Sequence, residues 1–431
     1  MTVQTLAIVV LLVSFFVMIF LRFPIAYAVG LSSVLCMMVQ GQALTDVCRL
    51  MVKGISSFSL MAVPFFITMG VLMGSGGISE KLIALADACV GWMRGGMAMV
   101  NIVASYFFGG ISGSASADTA SIGSIMIPMM VDQGYDADFS TAVTITSSCE
   151  GLLVPPSHNM VIYATTAGGI SVGSLFLAGY LPGALLAIVL MIGSYVISVK
   201  ENYPKGSPFT IKGFIKQLGT SIWALAAVVI VVFGVVGGGF TATESAAVAC
   251  VWAFIAGVFI YKEIKIADLI PILMKSAKSA AMILFIIAAS TAFSWVFTFS
   301  GASAALVQLV VSMNLNKTLF CLVVAIILLI FGTFMEGTAI AVLLVPVLWP
   351  IAESMGINVI HFGMILCISN VIGTMTPPVA VNIFSAVQVT RSVRELKIGE
   401  ISKAEIPFFI GYVAVFFLCV FSETFCTFLI R

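Results

Sequence analysis

The sequence predicts an all-α polytopic membrane protein, assembled as an inverted repeat with two re-entrant helical hairpins and two broken transmembrane helices. Three observations carry that expectation. Hydrophobic residues make up 61% of the chain, charged residues 9%, and mean hydropathy is +1.20, values that belong to a chain dissolved in lipid. Between Phe108 and Pro156 lie two polar segments, residues 109–119 and 147–156, that cannot sit in hydrocarbon as plain helix. Adding 222 to these numbers reaches a second copy: Gly110 falls on Gly332, Pro128 on Pro350, Gly134 on Gly356, Ser147 on Ser369, Gly151 on Gly373, and Pro155-Pro156 on Pro377-Pro378. The chain has no other Pro-Pro pair.

Residues 1–60 read as first scaffold helices and an amphipathic arm, with apolar runs at 6–21 and 24–39 long enough for about 30 Å of hydrocarbon and an amphipathic stretch at 46–59. No basic residue precedes Arg22 and no small-residue cleavage signal follows, so the first run is expected to be a retained span rather than a signal peptide. Residues 61–199 form the first repeat core, beginning with a span at 61–73. Hairpin 97–131 is apolar at both ends and polar in the middle; such a tip is tolerated at membrane depth only when buried in protein or facing water. Broken helix 139–170 is interrupted at 150–157, because Pro155 and Pro156 remove two backbone donors and disfavour helix just before them. A span at 175–199 closes this half.

Residues 200–279 are a cytoplasmic linker and the second scaffold helices, at 222–236 and 242–261. Residues 280–431 are the second repeat core. It holds a span at 280–299, hairpin 319–351 with its tip at 331–338, broken helix 359–389 interrupted at 373–378, and a final helix at 406–430. The longest polar connections, 200–218 and 262–278, are too short to fold alone, so any capture domain must be another chain.

Charge orients the repeat. If the hairpins enter from opposite faces, 15 of the 19 Lys and Arg fall on one side, leaving Arg49, Lys53, Lys317 and Arg431 on the other. The rich side is cytoplasmic by the positive-inside rule, and both termini are then periplasmic. Nine Cys form no C-x-x-C pair, two His cannot build a histidine-rich metal centre, and a net charge of +1 argues against nucleic acid.

Paired breaks at matching positions of an inverted repeat point to a substrate and ion site near the bilayer midplane. Each break exposes helix N-terminal amides, which attract anions, and C-terminal carbonyls, which can coordinate a cation. No Lys or Arg occurs between Arg94 and Lys200 or between Lys317 and Arg391. An anion there must be held by amides, hydroxyls and co-bound cations. Ser112, Ser114, Ser116 and Thr119 crowd the first tip, Thr333 and Thr338 the second, and Thr374 and Thr376 the second break. Such hard oxygen donors suit Na+. Four acids, Asp118, Glu150, Glu244 and Glu336, fall in predicted membrane, where an ionised carboxylate costs about 2.5–3.5 kcal/mol on insertion scales. Asp118 and Glu336 either tune the field at the cation sites or cap helices, Glu150 is a cap or a ligand, and Glu244 is structural.

The two tips, the paired Gly-x-x-x-Pro-Pro breaks and the run Gly239-Phe240-Thr241-Ala242-Thr243-Glu244-Ser245-Ala246-Ala247 resemble the large membrane subunit of tripartite ATP-independent periplasmic (TRAP) transporters, over essentially the whole chain. More distantly, the hairpin-plus-broken-helix repeat is similar to Na+-coupled dicarboxylate carriers of the ion-transporter superfamily. Those carry Ser-Asn-Thr at the tip and Gly-Thr-Pro-Pro-Asn at the break. This chain has Ser112-Gly113-Ser114 and Met335-Glu336-Gly337-Thr338 at its tips, and His158 or Val379 near the break Asn position.

The resemblance implies Na+-driven secondary uptake of an organic acid in a bacterial inner membrane, by an elevator motion of the hairpin core against a scaffold. It implies a small four-helix membrane subunit of the Q type and a periplasmic substrate-binding protein as partners, with Na+ as coupling ion and no other cofactor. The overall run leans toward the sialic-acid branch, with C4-dicarboxylates next. Ser112, Ser114 and Gly151 are expected at the first cation site, Gly337, Thr338, Gly373 and Thr376 at the second, and Ser116, Ser157, His158 and Asn382 at the substrate.

Gly110-Ile111-Ser112-Gly113 and Gly169-Ile170-Ser171-Val172-Gly173 match short serine-hydrolase patterns, and His158 could serve as base. A catalytic dyad gives no reason for a second break at Gly373, so no enzyme is expected. A channel accounts poorly for two buried breaks. A proton-coupled carrier using Asp118 or Glu336 is the remaining alternative.

Overall fold

The apolar runs fold as helices because, in lipid, a helix satisfies every backbone N–H and C=O within its own segment. A computed structural model describes residues 3–21, 23–168, 170–206, 208–313, 315–377, 380–391 and 393–430, and among them there is no strand. Arg22, Gly169, Pro378, Val379 and Arg431, all used in the sequence reading, lie outside the described residues. Among the described residues, eight helical segments are long and apolar enough to cross a membrane.

The chain opens with α1 (Val3–Phe20) and α2 (Ile25–Val39), then the short α3 (Thr45–Ile55), where Asp46 and Arg49 pair at 3.2 Å. α4 (Ala62–Ser75) is followed by α5 (Ile78–Val90), which fills the interval between the predicted span at 61–73 and the first hairpin. Glu80, Lys81 and Asp87 disguise it, yet Ile78, Leu82, Ile83, Leu85 and Ala86 form a buried face. Gly77, at φ +68°, makes the turn between α4 and α5.

The first hairpin is α6 (Gly96–Ser112) and α7 (Ala115–Asp132); α8 (Ala137–Glu150) and α9 (His158–Thr166) are the two halves of the broken helix, and α10 (Val172–Lys200) follows. Next come α11 (Ile211–Val236), α12 (Ala242–Ile255), α13 (Leu269–Phe299) and α14 (Ala302–Ser312). α14 was not anticipated, and the polar connections shrink because α11 and α13 begin earlier than hydropathy suggested. Their first three turns carry Lys212, Lys216, Lys275 and Lys278, whose long stems let the ammonium groups reach the interface. The hairpin and broken helix then recur as α15 (Lys317–Gly332), α16 (Gly337–Ser354), α17 (Val359–Met375) and α18 (Val381–Thr390), before α19 (Ile398–Phe421) and α20 (Glu423–Thr427).

The connection after α10 is fastened to the base of the first hairpin. Gly95 N donates to Pro204 O at 3.0 Å, Arg94 Nη2 to Asn202 Oδ1 at 2.7 Å, and Tyr203 Oη to Asp136 Oδ2 at 2.8 Å.

Glycine pairs hold each hairpin against its broken helix. A Cβ on Gly151 would lie 2.6 Å from the Gly109 Cα, and one on Gly332 would lie 2.9 Å from the Gly373 Cα. The sequence offset pairs Gly332 with Gly110, whereas in space Gly109 fills that place; Gly110 lies instead beside the Pro155 carbonyl. The first hairpin is therefore one residue out of register with the second at this contact. Gly109→Leu is expected to destabilise the purified protein by about 1–3 kcal/mol through overpacking. Gly399→Ala, where nothing lies within 4 Å, is the control. Equal melting temperatures for the two variants in detergent would remove this account of the contact.

Candidate functional site

At the first tip α6 stops at Ser112, and Gly113 takes φ +60°, a conformation that glycine adopts without strain. A Cβ there would lie 2.7 Å from His158 Nδ1, so the imidazole rests against the turn. Ser114 caps α7 by accepting from Ala117 N at 3.4 Å, and its Oγ lies 3.2 Å from Ser116 Oγ. Ser112 Oγ donates to the Ser114 carbonyl at 3.4 Å and makes no bond to His158. The second tip differs. Glu336 occupies the N-cap of α16 without a side-chain hydrogen bond, and Gly337 is pressed against the Asn370 amide.

The tips and breaks cross-connect between the two repeats. Thr338 Oγ1 donates to Asn159 Oδ1 at 2.9 Å, joining the second tip to the first break. Asn382 Nδ2 donates to Cys149 Sγ at 2.9 Å, and Thr374 Oγ1 lies 3.6 Å from the same sulfur. Between them is a cavity of about 20 Å³, lined among others by Ser114, Ser116, Asn159, Glu336, Asn370 and Asn382. These residues lie in the first turns of α7, α9, α16 and α18, apart from Asn370 on α17. Four helix N-termini therefore meet at one point, a concentration of amide donors and positive dipole ends that favours an anion. The space admits about one water.

Of the predicted residues, Ser114, Ser116, Gly337 and Asn382 line the cavity, and Thr338 adjoins it through Asn159. Ser112 and His158 stand behind the first tip. Gly151 and Gly373 are the packing contacts of the broken helices. Ser157 Oγ is buried without a partner, and Thr376 Oγ1 donates to Ile372 O at 2.6 Å. Sequence reasoning missed Asn159, Asn370 and Cys149. Asn370 carried a usable signal, being a lone amide in the apolar run of α17, with Oδ1 unpartnered. Asn159 follows His158 in the turn after the break. Glu244 forms an exposed capping box with Thr241, whose backbone N donates to Glu244 Oε2 at 2.8 Å. In the second hydrolase-like motif, Ser171 Oγ caps α10 by accepting from Ser174 N at 3.2 Å.

Comparisons with known proteins agree with this architecture. Residues 12–425 match the family described as tripartite ATP-independent periplasmic transporter, DctM component. The C4-dicarboxylate TRAP transporter large permease DctM of Pseudomonas aeruginosa is 37% identical, over 81% of each chain. The sialic acid TRAP transporter large permease SiaM of Vibrio cholerae is 34% identical, over 86% of each. The isethionate TRAP transporter permease DctMQ of Oleidesulfovibrio alaskensis is 37% identical over 91% of this chain and 61% of its own length. The solved YdaH transporter of Alcanivorax borkumensis superposes with a TM-score of 0.63 over 88% of each chain at 14% identity, a likeness of fold alone. The chain belongs to the DctM family: it is a multi-pass membrane permease, not an enzyme.

The Thr338–Asn159 bond gives a test of the junction. Thr338→Val and Asn159→Ala, singly and combined, are expected to show a coupling of about 0.6–1.7 kcal/mol in a double-mutant cycle of thermal stability. Additive effects would mean that the tip and the break do not support each other.

Proposed function

We propose, with family membership as premise, that this permease takes up a small organic acid across a bacterial inner membrane, driven by Na+ and by alternating access. The observation that carries the reading is the meeting of four helix N-termini in a core without Lys or Arg. Partial charges on amides can orient a carboxylate, and co-bound cations supply the full positive charge. Ser112, Ser114 and Gly151 are the proposed ligands of one Na+, and Gly337, Thr338, Gly373 and Thr376 of the other. With two Na+ per monoanion, a 100 mV inside-negative potential adds about 2.3 kcal/mol to the drive.

The arms Gly96–Ser112 and Lys317–Gly332 support re-entrant hairpins. At 17 and 16 residues they extend about 25 Å, short of a full crossing. A 20 Å³ cavity cannot hold an organic acid, so the core must move to admit one. Two larger crevices lie on seams, the first between α5 with the linker after α10 and the hairpin α6–α7, the second between α3 with α13 and α16. One, of about 740 Å³, is bounded by Glu80, Asp87, Gln133 and Lys205; the other, of about 520 Å³, by Lys53, Thr165, Thr291 and Pro346. In the positive-inside orientation the first faces the cytoplasm and the second the periplasm, as do both termini. That arrangement suits an elevator motion of inverted repeats along the seams.

The proposed partners are a periplasmic substrate-binding protein and a small Q-type membrane subunit; a relative named DctMQ supports the latter. Relatives named for isethionate, C4-dicarboxylates and sialic acid share the small-acid class. Sialic acid, favoured by the sequence, is to be tested beside a C4-dicarboxylate. A proton-coupled reading draws on the buried, incompletely partnered Asp118.

Replacing Na+ by choline at fixed pH is expected to abolish uptake by the complete system in proteoliposomes; uptake that persists and follows a pH gradient would establish the proton reading. Ser112→Ala and Thr376→Ala are expected to weaken Na+-dependent uptake while leaving expression intact. Unchanged Na+ dependence in both would remove the ligand assignment.

A further inference from the structure

We propose a third cation site, built around the Asp118 carboxylate, that takes one small hard monovalent cation; the inference rests on the Na+-coupled reading above. Asp118 lies in the first turn of α7, four residues beyond Ser114 and so about 6 Å further along the helix from the tip, and is completely buried. Its Oδ1 accepts from Ser105 Oγ at 3.4 Å, and Ser105 Oγ in turn accepts from Ser147 Oγ at 3.3 Å. α6, α7 and α8 are thereby joined around one carboxylate. Its Oδ2 has no partner. The Ser148 hydroxyl, next to Ser147 on α8, is buried and completes no hydrogen bond. Glu150, equally buried and three residues beyond Ser147 on α8, has neither oxygen partnered.

When ionised, two buried carboxylates among hydroxyls, with no Lys or Arg between Arg94 and Lys200, form an unfavourable arrangement unless a cation joins them. All the donors are hard oxygens, as a Na+ site requires. Nor does the fold itself demand these acids. At the matching places of the second repeat the offset puts Ile340 for Asp118, Ile372 for Glu150 and Ile327 for Ser105. The second half packs hydrocarbon where the first buries charge, so the site has no twin. A cation there ties the first hairpin to its broken helix before the tip site is reached.

The test uses the complete transport system in proteoliposomes, with Na+ as probe. Asp118→Asn is expected to retain Na+-dependent uptake while its Hill coefficient for Na+ and its charge stoichiometry, read from reversal potentials, each fall by about one. Ser105→Ala, which removes the hydroxyl orienting Asp118, is expected to raise the half-saturating Na+ concentration about tenfold. It serves if the first variant fails to fold. Wild-type stoichiometry in Asp118→Asn, or unchanged half-saturation in Ser105→Ala, would overturn the site. So would loss of pH dependence alone, which would make Asp118 a proton carrier. Failure of the coupling reading looks different: the wild-type protein itself would transport equally in choline.

Discussion

The structure depends on a constraint set by lipid: a helix broken at membrane depth frees backbone groups that have no water to turn to. Two devices meet it here. Glycines bring each hairpin into backbone contact with its own broken helix, at Gly109 with Gly151 and at Gly332 with Gly373. Side chains from one repeat then reach the other, as Thr338 does to Asn159 and Asn382 to Cys149. Each copy of the motif thus supplies the other with hydrogen-bond partners. Both tips and both breaks consequently arrive at one place.

That arrangement was largely legible in the sequence, for a physical reason. Polar and Pro-rich segments inside apolar runs are costly, so they stand out, and a fixed offset joins the two sets. What the sequence hid were features whose signal is cheap or mixed. α5 carries Glu80, Lys81 and Asp87 on one face, and average hydropathy masks the buried Ile78–Leu82–Ile83 side. Gly151 and Gly373 read as cation ligands, and their packing role against Gly109 and Gly332 is hidden because composition does not announce which glycines permit close packing. Asn159 and Asn370 were passed over in favour of hydroxyls, although an amide in an apolar helix is the stronger anomaly. The one-residue slip between Gly109 and Gly110 could not be read from identity at all, since both positions are glycine.

The core also shows how charge can be rationed. Its helix ends present amides to the cavity from four directions, and such dipole ends attract an anion without the desolvation cost of a buried guanidinium. An acid on the same wall, Glu336, works against an anion bound alone. The combination favours an anion that arrives with cations, and this links the missing basic residues to the proposed coupling.

The repeats match in architecture but not in chemistry, and the difference bears on direction. Two equivalent halves would respond alike to ligands from either side. Here the first half buries Asp118 and Glu150 where the second has isoleucine, and the second tip carries Glu336 where the first has Ser114. Under the proposed ion sites the first hairpin is sensitive to occupancy both at its tip and at Asp118, whereas the second, packed by Ile340 and Ile372 behind its tip, is sensitive at the tip alone. The halves would therefore differ in what holds them: two proposed cations for the first, and one cation together with apolar and Thr338–Asn159 contacts for the second. Under the proposed orientation, this gives a symmetric scaffold an unsymmetric sequence of opening.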